Sequence, residues 1–180
     1  MIFATVGTQL PFDRLLTGLD RWAQQNSHVP VFAQCGESAA KVTSIETASM
    51  LGMSEFHRRF QAASLIVAHA GMGTILTAAE LGKPVILMPR LARFGEHRNN
   101  HQQDTAREMS RLSNVTVVQD QDGLHNALDL AMSGQTGGAH CAGAPQAAEL
   151  APLIEVIREF VWADASEKAV DTSQRRRSAA

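Results

Sequence analysis

The segment His69-Ala70-Gly71-Met72-Gly73-Thr74 contains the residue types that bind a diphosphate. It places a histidine, two glycines and a hydroxyl close together in the chain. Glycines expose backbone N–H groups to an anion, and a histidine donates a hydrogen bond or acts in acid–base chemistry. The segment therefore predicts a diphosphate site with His69 as its reactive group. The alternative is that His69 only anchors the loop.

Two further segments are candidates for the same site. Gly7-Thr8-Gln9 follows the first apolar run, and its glycine lets an anion approach the backbone, although tight turns use glycine for geometry about as often. Residues 89–103 are rich in Arg, Asn, His and Gln, which supply the paired donors and acceptors that read sugar hydroxyls. A solvated helix start has the same composition. Within this segment Arg90, Arg93 and Arg98 are candidates for a uronate carboxylate or are surface charges.

The sequence lacks the common cofactor and metal motifs. No Gly-x-Gly-x-x-Gly follows the first apolar run, which disfavours a dinucleotide site, and there is no P-loop lysine. His97 and His101 are spaced i,i+4 and would suit zinc if both were on one helix, but no third ligand is evident. We therefore expect no metal and no cofactor.

The elements that must position these segments alternate between strand and helix. Short apolar runs predict strands, and apolar residues at helical spacing predict helices between them. Strands are predicted at 2–6, 29–33, 42–45, 65–68, 84–88 and 115–118, and helices at 12–22, 54–63, 74–81, 99–112, 123–132 and 145–161. This alternation, with strands that are apolar throughout, predicts a parallel sheet of the α/β class. Ligands bind such sheets at the carboxyl ends of the strands, where all three segments fall.

Length and composition limit the class of protein. The chain has 180 residues, 44% of them hydrophobic, which suits one domain with a buried core. Its 16 Lys+Arg nearly balance 18 Asp+Glu, which argues against nucleic-acid binding. Two cysteines make no disulfide framework, and no targeting or membrane-spanning segment is visible, so we expect a cytoplasmic protein. We assign residues 1–162 to the domain and 163–180 to a disordered polar tail, whose three consecutive arginines are solvated or touch anionic lipid or RNA.

A set of motifs runs in order from Ile2 to about Val161. The motifs are Thr5-Val6-Gly7-Thr8 with Pro11-Phe12-Asp13-Arg14-Leu15, then Gln34-Cys35-Gly36, the histidine–glycine segment 69–74, Glu80-Leu81-Gly82-Lys83-Pro84, Pro89-Arg90, Gly95-Glu96-His97 and Asn100-His101-Gln102. Together they resemble the glycosyltransferase family 28 C-terminal domain. The resemblance is to its stand-alone branch, the catalytic subunit of two-subunit UDP-sugar transferases of dolichol-linked oligosaccharide, exopolysaccharide or capsule synthesis. It implies a single Rossmann-like parallel-sheet domain equivalent to the C-terminal half of a GT-B glycosyltransferase.

The resemblance also implies roles for individual residues. The catalytic residue would be His69. The diphosphate of a UDP-sugar would be held by Gly7, Thr8, Gly71, Met72, Gly73 and Thr74, and the ribose or sugar by Thr77, Glu80, Glu96, His97, His101 and Gln102. Relatives bind the ribose hydroxyls with a glutamate seven residues before a proline that opens the next strand. Counting back from Pro84 gives Thr77, so Glu80 is the candidate substitute.

The function implied by the resemblance is that of a donor-binding catalytic subunit. It would be an inverting hexosyltransferase that moves a sugar from a UDP-sugar to a lipid-linked or glycan acceptor in polysaccharide synthesis, without a metal. GT-B enzymes take the acceptor side from an N-terminal domain, for which 180 residues leave no room. We therefore expect a membrane-anchored partner subunit that holds the chain at the inner face of the membrane, and the predicted helix 145–161 either docks this partner or packs in the core. The alternatives are a non-catalytic nucleotide-sugar-binding or regulatory subunit, or a relative of nucleotide-sugar epimerases, which carry both halves on one chain.

Overall fold

A six-stranded parallel sheet organises residues 1–134, which are the residues that the computed structural model describes. Its strands are β1 (Ile2–Thr5), β2 (Val31–Gln34), β3 (Glu46–Ala48), β4 (Leu65–His69), β5 (Val85–Met88) and β6 (Val115–Val117). The helices are α1 (Asp13–Gln25), α2 (Met53–Ala62), α3 (Met72–Glu80), α4 (His101–Met109) and α5 (Gln121–Met132), with a 3₁₀ turn at Ala92–Phe94. The predicted α/β class and parallel sheet are confirmed.

The strands are apolar throughout because helices cover both faces of the sheet. Every residue of β1, β2 and β5 is buried. Ile2 and Ala4 of β1 share a core cluster with residues of α1 and α5. On the other face, the Phe3 ring packs against two rings of α2. Its centroid lies 5.3 Å from the centroid of the Phe56 ring and 6.1 Å from that of the Phe60 ring.

The strand order is β3-β2-β1-β4-β5-β6, so the chain changes its direction of travel across the sheet at β1. A crevice opens at such a switch point, outside the carboxyl ends of the two central strands. The pairing register sets these ends level with one another. Thr5, the last residue of β1, lies beside Gln34 of β2 and Ala68 of β4. The segments after β1 and β4 therefore start at the same height above the sheet.

Most predicted elements are present, with ends displaced by a few residues. The strand predicted at 42–45 is wrong, because β3 is Glu46–Ala48. The helix predicted from residue 12 begins at Asp13, well after Gly7 and Thr8, so these residues lie in a loop rather than at the helix N-terminus. None of the helices in the described part of the chain is long and apolar enough to cross a membrane. The predicted helix 145–161, the domain end at 162 and the tail 163–180 lie outside the described residues.

Candidate functional site

A cavity of about 670 Å³ lies at the crevice predicted by the strand order. The β1–α1 loop, the first turns of α3 and the segment after β5 line it, together with the residues just before and within α2. Within residues 1–134 its lining includes no Asp or Glu. A cavity without carboxylates, close to the positive end of a helix dipole, suits an anionic ligand.

The N-terminus of α3 offers backbone donors to this cavity. Gly71 is the N-cap residue, and no side chain caps the helix. Among the described residues no acceptor is found for the N–H groups of Met72, Gly73 or Thr74. Gly73 is exposed and nothing lies within 4 Å of the position that its Cβ would take, so a ligand can reach the backbone here.

The imidazole of His69 is wedged between two glycines. A Cβ on Gly71 would lie 2.3 Å from His69 Nε2, and a Cβ on Gly7 would lie 2.7 Å from His69 Cε1. Gly7 also has a φ of +81°, which other residues rarely adopt. Both glycines are therefore needed to seat the ring, in addition to any contact with a ligand. This requirement links the loop after β1 to the loop after β4.

His69 is a neutral imidazole at physiological pH. Burial lowers its pKa to about 4, and the positive charges of Arg90 and His97 act in the same direction. The backbone of Thr5 lies near the ring and acts to raise this pKa, but the buried Nδ1 atom makes no hydrogen bond of normal geometry among the described residues. A neutral ring still donates one N–H, so His69 can hydrogen-bond a phosphate oxygen but does not bring a charge of its own.

The segment after β5 places Gln102 and His97 in the cavity lining. The Gln102 side chain is buried, and its Oε1 accepts a 3.0 Å hydrogen bond from the backbone N–H of Arg90. The amide nitrogen of Gln102 is therefore the group available to a ligand. His101, at the start of α4, is exposed, and its ring centroid lies 4.4 Å from that of His97. Loss of solvent around the ring and the nearby His97 lower the pKa of His101.

The structure separates the other predicted site residues into two groups. Thr8, Thr74 and Thr77 line the cavity, and Thr77 Oγ1 donates a 2.9 Å hydrogen bond to the carbonyl of Gly73. The second group lies outside the lining, and it consists of Met72, Glu80 and Glu96. Met72 can contribute only its backbone N–H at the start of α3. Glu80 is an exposed residue at the end of α3.

Glu96 has structural partners that explain its position. Its carboxylate accepts hydrogen bonds of 2.7 and 2.9 Å from the Arg14 guanidinium and one of 2.9 Å from the backbone N–H of Leu91. Arg14 also donates to the carbonyls of Pro89 and Gln119. The pair thus fastens the segment after β5 to α1 rather than presenting a carboxylate to the cavity.

Among the described residues, His97 and His101 belong to no group of metal ligands and do not lie on one helix. In residues 1–134 no three His, Cys, Asp or Glu side chains are grouped as metal ligands. His97 precedes α4, which begins at His101, so the two are not on one helix.

Two contributions to the site were missed by the sequence analysis. Arg90 is neither a surface charge nor an obvious carboxylate ligand, because it is 2% exposed and donates to backbone carbonyls. Its position between a buried strand and apolar Leu91 was the available signal. The second contribution is an apolar part of the cavity that starts before α2 and includes Met50, Leu51, Met53 and Phe56. These side chains carry no motif, so only the fold brings them to the site.

Comparison with known proteins agrees with this architecture. Residues 1–154 match the sequence profile of the glycosyltransferase family 28 C-terminal domain. No curated protein sequence matches the chain. The NMR structure of ALG13 is 19% identical over 73% of this chain and 85% of that chain, with a TM-score of 0.54.

Two larger proteins share the fold over part of their length. MurG from Acinetobacter baumannii is 19% identical, with a TM-score of 0.52, over 74% of this chain and 41% of its own. UDP-glucose: anthocyanidin 3-O-glucosyltransferase, solved in complex with UDP, is 17% identical, with a TM-score of 0.54, over 88% of this chain and 40% of its own. The chain thus spans about two fifths of these two proteins. The six-stranded sheet corresponds to the C-terminal halves of GT-B glycosyltransferases.

The sequence match covers most of the chain, and the fold agrees with it. The chain therefore belongs to the glycosyltransferase family 28 C-terminal domain family, the donor-binding domain of glycosyltransferases.

Proposed function

We propose that this protein is the donor-binding catalytic subunit of a UDP-sugar-dependent, inverting hexosyltransferase. It would act with a membrane-anchored partner on a lipid-linked or glycan acceptor in polysaccharide synthesis, on the cytoplasmic side of the membrane. The observation that carries the proposal is the uncapped N-terminus of α3, which faces a cavity lined by His69 and, in residues 1–134, by no carboxylate.

The diphosphate of the donor fits the N-terminus of α3. The N–H groups of Met72, Gly73 and Thr74 would donate to phosphate oxygens, and the positive end of the helix dipole favours their charge. His69 would add a neutral N–H donor, and Thr8 a hydroxyl from the β1–α1 loop. As the bond between the sugar C1 and the phosphate oxygen breaks, negative charge grows on the departing UDP. Donors that are already in place stabilise this charge, which is the catalytic role proposed for His69.

The nucleoside has a separate part of the cavity. The apolar side chains of Met50, Leu51 and Phe56 provide a surface for the flat face of a uracil. Thr77 Oγ1, which donates to Gly73, retains lone pairs that can accept from a ribose hydroxyl. Glu80 would take this role only if the end of α3 moved toward the ligand, since it lies outside the lining.

The sugar would lie toward the segment after β5. The Gln102 amide nitrogen and the His97 ring are the groups that line the cavity there, with exposed His101 next to His97. Glu96 would support this segment through Arg14 and Leu91 rather than touch the sugar. In an inverting reaction the acceptor hydroxyl attacks C1 on the face opposite UDP and loses its proton to a base. We propose that the partner supplies this base together with the acceptor, as the resemblance implies for the N-terminal domain of GT-B enzymes.

One observation favours the alternative, a subunit that binds nucleotide sugars without catalysis. Thr77 offers a single hydroxyl where the resemblance implies a bidentate glutamate, which would weaken the binding of the donor. Both functions include binding of the UDP-sugar, but only the catalytic subunit transfers the sugar. A transfer assay with the partner present therefore separates them.

Titration calorimetry with UDP, UMP and inorganic phosphate tests the donor site on the isolated chain. We expect UDP to bind about tenfold more tightly than UMP, a difference of about 1.4 kcal/mol, because its second phosphate meets the α3 N–H groups. The exposed residue His28 precedes the amino end of β2, whereas the cavity lies at the carboxyl ends of the strands, so His28→Ala is a control variant with unchanged affinity. Equal affinities for UDP and UMP would contradict the proposed phosphate site. Transfer is then assayed over a panel of UDP-sugars, with the chain and the membrane protein of an adjacent reading frame co-expressed; His69→Ala should abolish it.

A further inference from the structure

We infer that Arg90 is a positioning residue that holds the β1–α1 loop against the donor cavity and does not itself bind the donor. The inference rests on the proposed function for the identity of the donor. The role assigned to Arg90, however, concerns the shape of the loop and can be tested without any donor.

The guanidinium of Arg90 donates hydrogen bonds to several backbone carbonyls of the loop. Its Nη2 donates to the carbonyls of Val6 and Leu10, each at 2.7 Å. Its Nη1 donates to the carbonyl of Pro11 and, at 3.5 Å, to that of Glu96. Val6 immediately follows β1 and Pro11 lies two residues before α1, so these contacts span the whole loop.

These contacts occupy both terminal nitrogens of the side chain. A guanidinium has five N–H donors, four of them on the terminal nitrogens. The four carbonyls account for those four, which leaves only Nε–H. Arg90 borders the cavity but is only 2% exposed, and its Cζ lies 4.7 Å from the centroid of the Phe12 ring. Arg90 is thus fixed in place with no terminal donor left for a phosphate.

The charge of Arg90 has carbonyl partners but no carboxylate partner in the described residues. The Glu96 carboxylate favours the charged form of Arg90 electrostatically, but its hydrogen bonds are with Arg14 and the Leu91 N–H. Burial lowers the pKa of Arg90 to about 10, so the group stays charged at neutral pH. Several carbonyl oxygens around one buried cation are costly to rearrange, which makes the loop position specific.

A lysine cannot reproduce this arrangement. Its single ammonium has three donors that radiate from one point, whereas the four carbonyls lie around a planar fork. Arg90→Lys therefore keeps the positive charge but loses the planar arrangement of donors that matches the four carbonyls. Arg93→Lys is the matched control, because Arg93 is exposed in the same segment and its recorded contact is with the Phe94 ring, at 4.8 Å.

The test measures loop order and UDP affinity in the same variants. In Arg90→Lys we expect the ¹H–¹⁵N nuclear Overhauser effects of the Thr8, Gln9 and Leu10 amides to fall to the range of flexible backbone, while those of α5 stay unchanged. UDP affinity should fall about tenfold in this variant and stay within about twofold in Arg93→Lys. An ordered loop with lost affinity would overturn the inference, because Arg90 would then be a direct ligand. An ordered loop with full affinity would overturn it as well.

A second measurement covers the case that Arg90→Lys does not fold. In the wild-type chain the Nη protons of Arg90 should exchange slowly with water, since carbonyls hold all four, and rapid exchange would refute the arrangement. If wild-type protein does not bind UDP, the proposed function fails, but the loop-order and exchange measurements still decide the role of Arg90.

Discussion

At the level of single residues, the His69 ring explains why Gly7 and Gly71 are glycines, because a Cβ atom on either would collide with it. The sequence pattern predicts one task for Gly71 and Gly73, the exposure of backbone N–H groups. The structure gives them different surroundings, because a Cβ on Gly71 would collide with the His69 ring and one on Gly73 would meet nothing. Sequence spacing indicated the diphosphate site, but it could not show which glycine makes room for the histidine.

Substitution of the two glycines separates these tasks. We expect Gly73→Ala to leave the free energy of unfolding within about 1 kcal/mol of wild type, since alanine is a better helix former. UDP affinity should nonetheless fall about tenfold, because the methyl group occupies the approach to the N–H groups. Gly71→Ala should lose about 2 kcal/mol of stability by displacing His69. Denaturant titration and calorimetry measure both quantities, and equal stability losses in the two variants would contradict the assignment.

The neutral state of His69 predicts a pH dependence of stability. Its pKa is about 4 in the folded protein against 6.5 for an ordinary histidine, so the unfolded chain takes up the proton first. The stabilisation is therefore complete above the unfolded value and is lost as the pH falls from about 6.5 toward about 4. Relative to His69→Gln, the wild-type chain should lose about 2 kcal/mol between pH 7 and pH 5.

Urea denaturation of both proteins at the two pH values measures this difference. The exposed-histidine variant His28→Gln serves as the control and should follow the wild-type curve. Parallel pH curves for the wild type and His69→Gln would show that the histidine is not held neutral by the fold.

At the level of secondary-structure elements, the sequence predicted the buried strands. It did not predict the exposed edge strand or the segments that polar side chains hold in place. β1, β4 and β5 are buried, so their residues form apolar runs that can be recognised in the sequence. β3 is a sheet-edge strand with two exposed residues, so it has no apolar run. The apolar residues predicted to form it, Val42 and Ile45, pack against the core just before the strand. The carboxylate of Asp20 fixes the backbone between them, through the N–H groups of Thr43 and Ser44.

The pair formed by Arg14 and Glu96 joins elements that the sequence could not connect. The two residues are 82 positions apart, and their side chains are 15% and 9% exposed. Removing one partner leaves a poorly solvated charge, so we expect Glu96→Gln to cost about 3 kcal/mol of unfolding free energy. The double variant Arg14→Met/Glu96→Leu should lose less than the sum of its single changes.

Urea unfolding of the single and double variants tests this coupling. The exposed pair of Asp104 and Arg107, 3.6 Å apart, supplies the control, and Asp104→Asn should cost less than about 0.5 kcal/mol. A loss in Glu96→Gln as small as that of the control would mean that the pair does not fasten the segment after β5.

For the whole molecule, the proposed function uses the described residues as one side of a transfer reaction. Backbone donors, an apolar surface and polar side chains line one cavity. No Asp or Glu is among the described residues that line it. The chain also spans 41% of MurG and 85% of ALG13, so it corresponds to a part of the first protein and nearly all of the second. The proposed function assigns the donor side to this chain and the acceptor side to a partner polypeptide.

That division predicts that binding and turnover require different components. The isolated chain should bind UDP, because the α3 N-terminus and His69 are placed by its own fold. It should transfer no sugar alone, since in the proposed function the partner holds the acceptor and takes the proton of its hydroxyl. Addition of the membrane partner should raise turnover into the ordinary enzyme range of about 1 s⁻¹ or more. Calorimetry and a radiolabelled transfer assay, run on the chain with and without partner membranes, measure the two properties. Full turnover by the isolated chain would place the missing base in this polypeptide, and UDP binding that appears only with the partner would show that the cavity is not formed in advance.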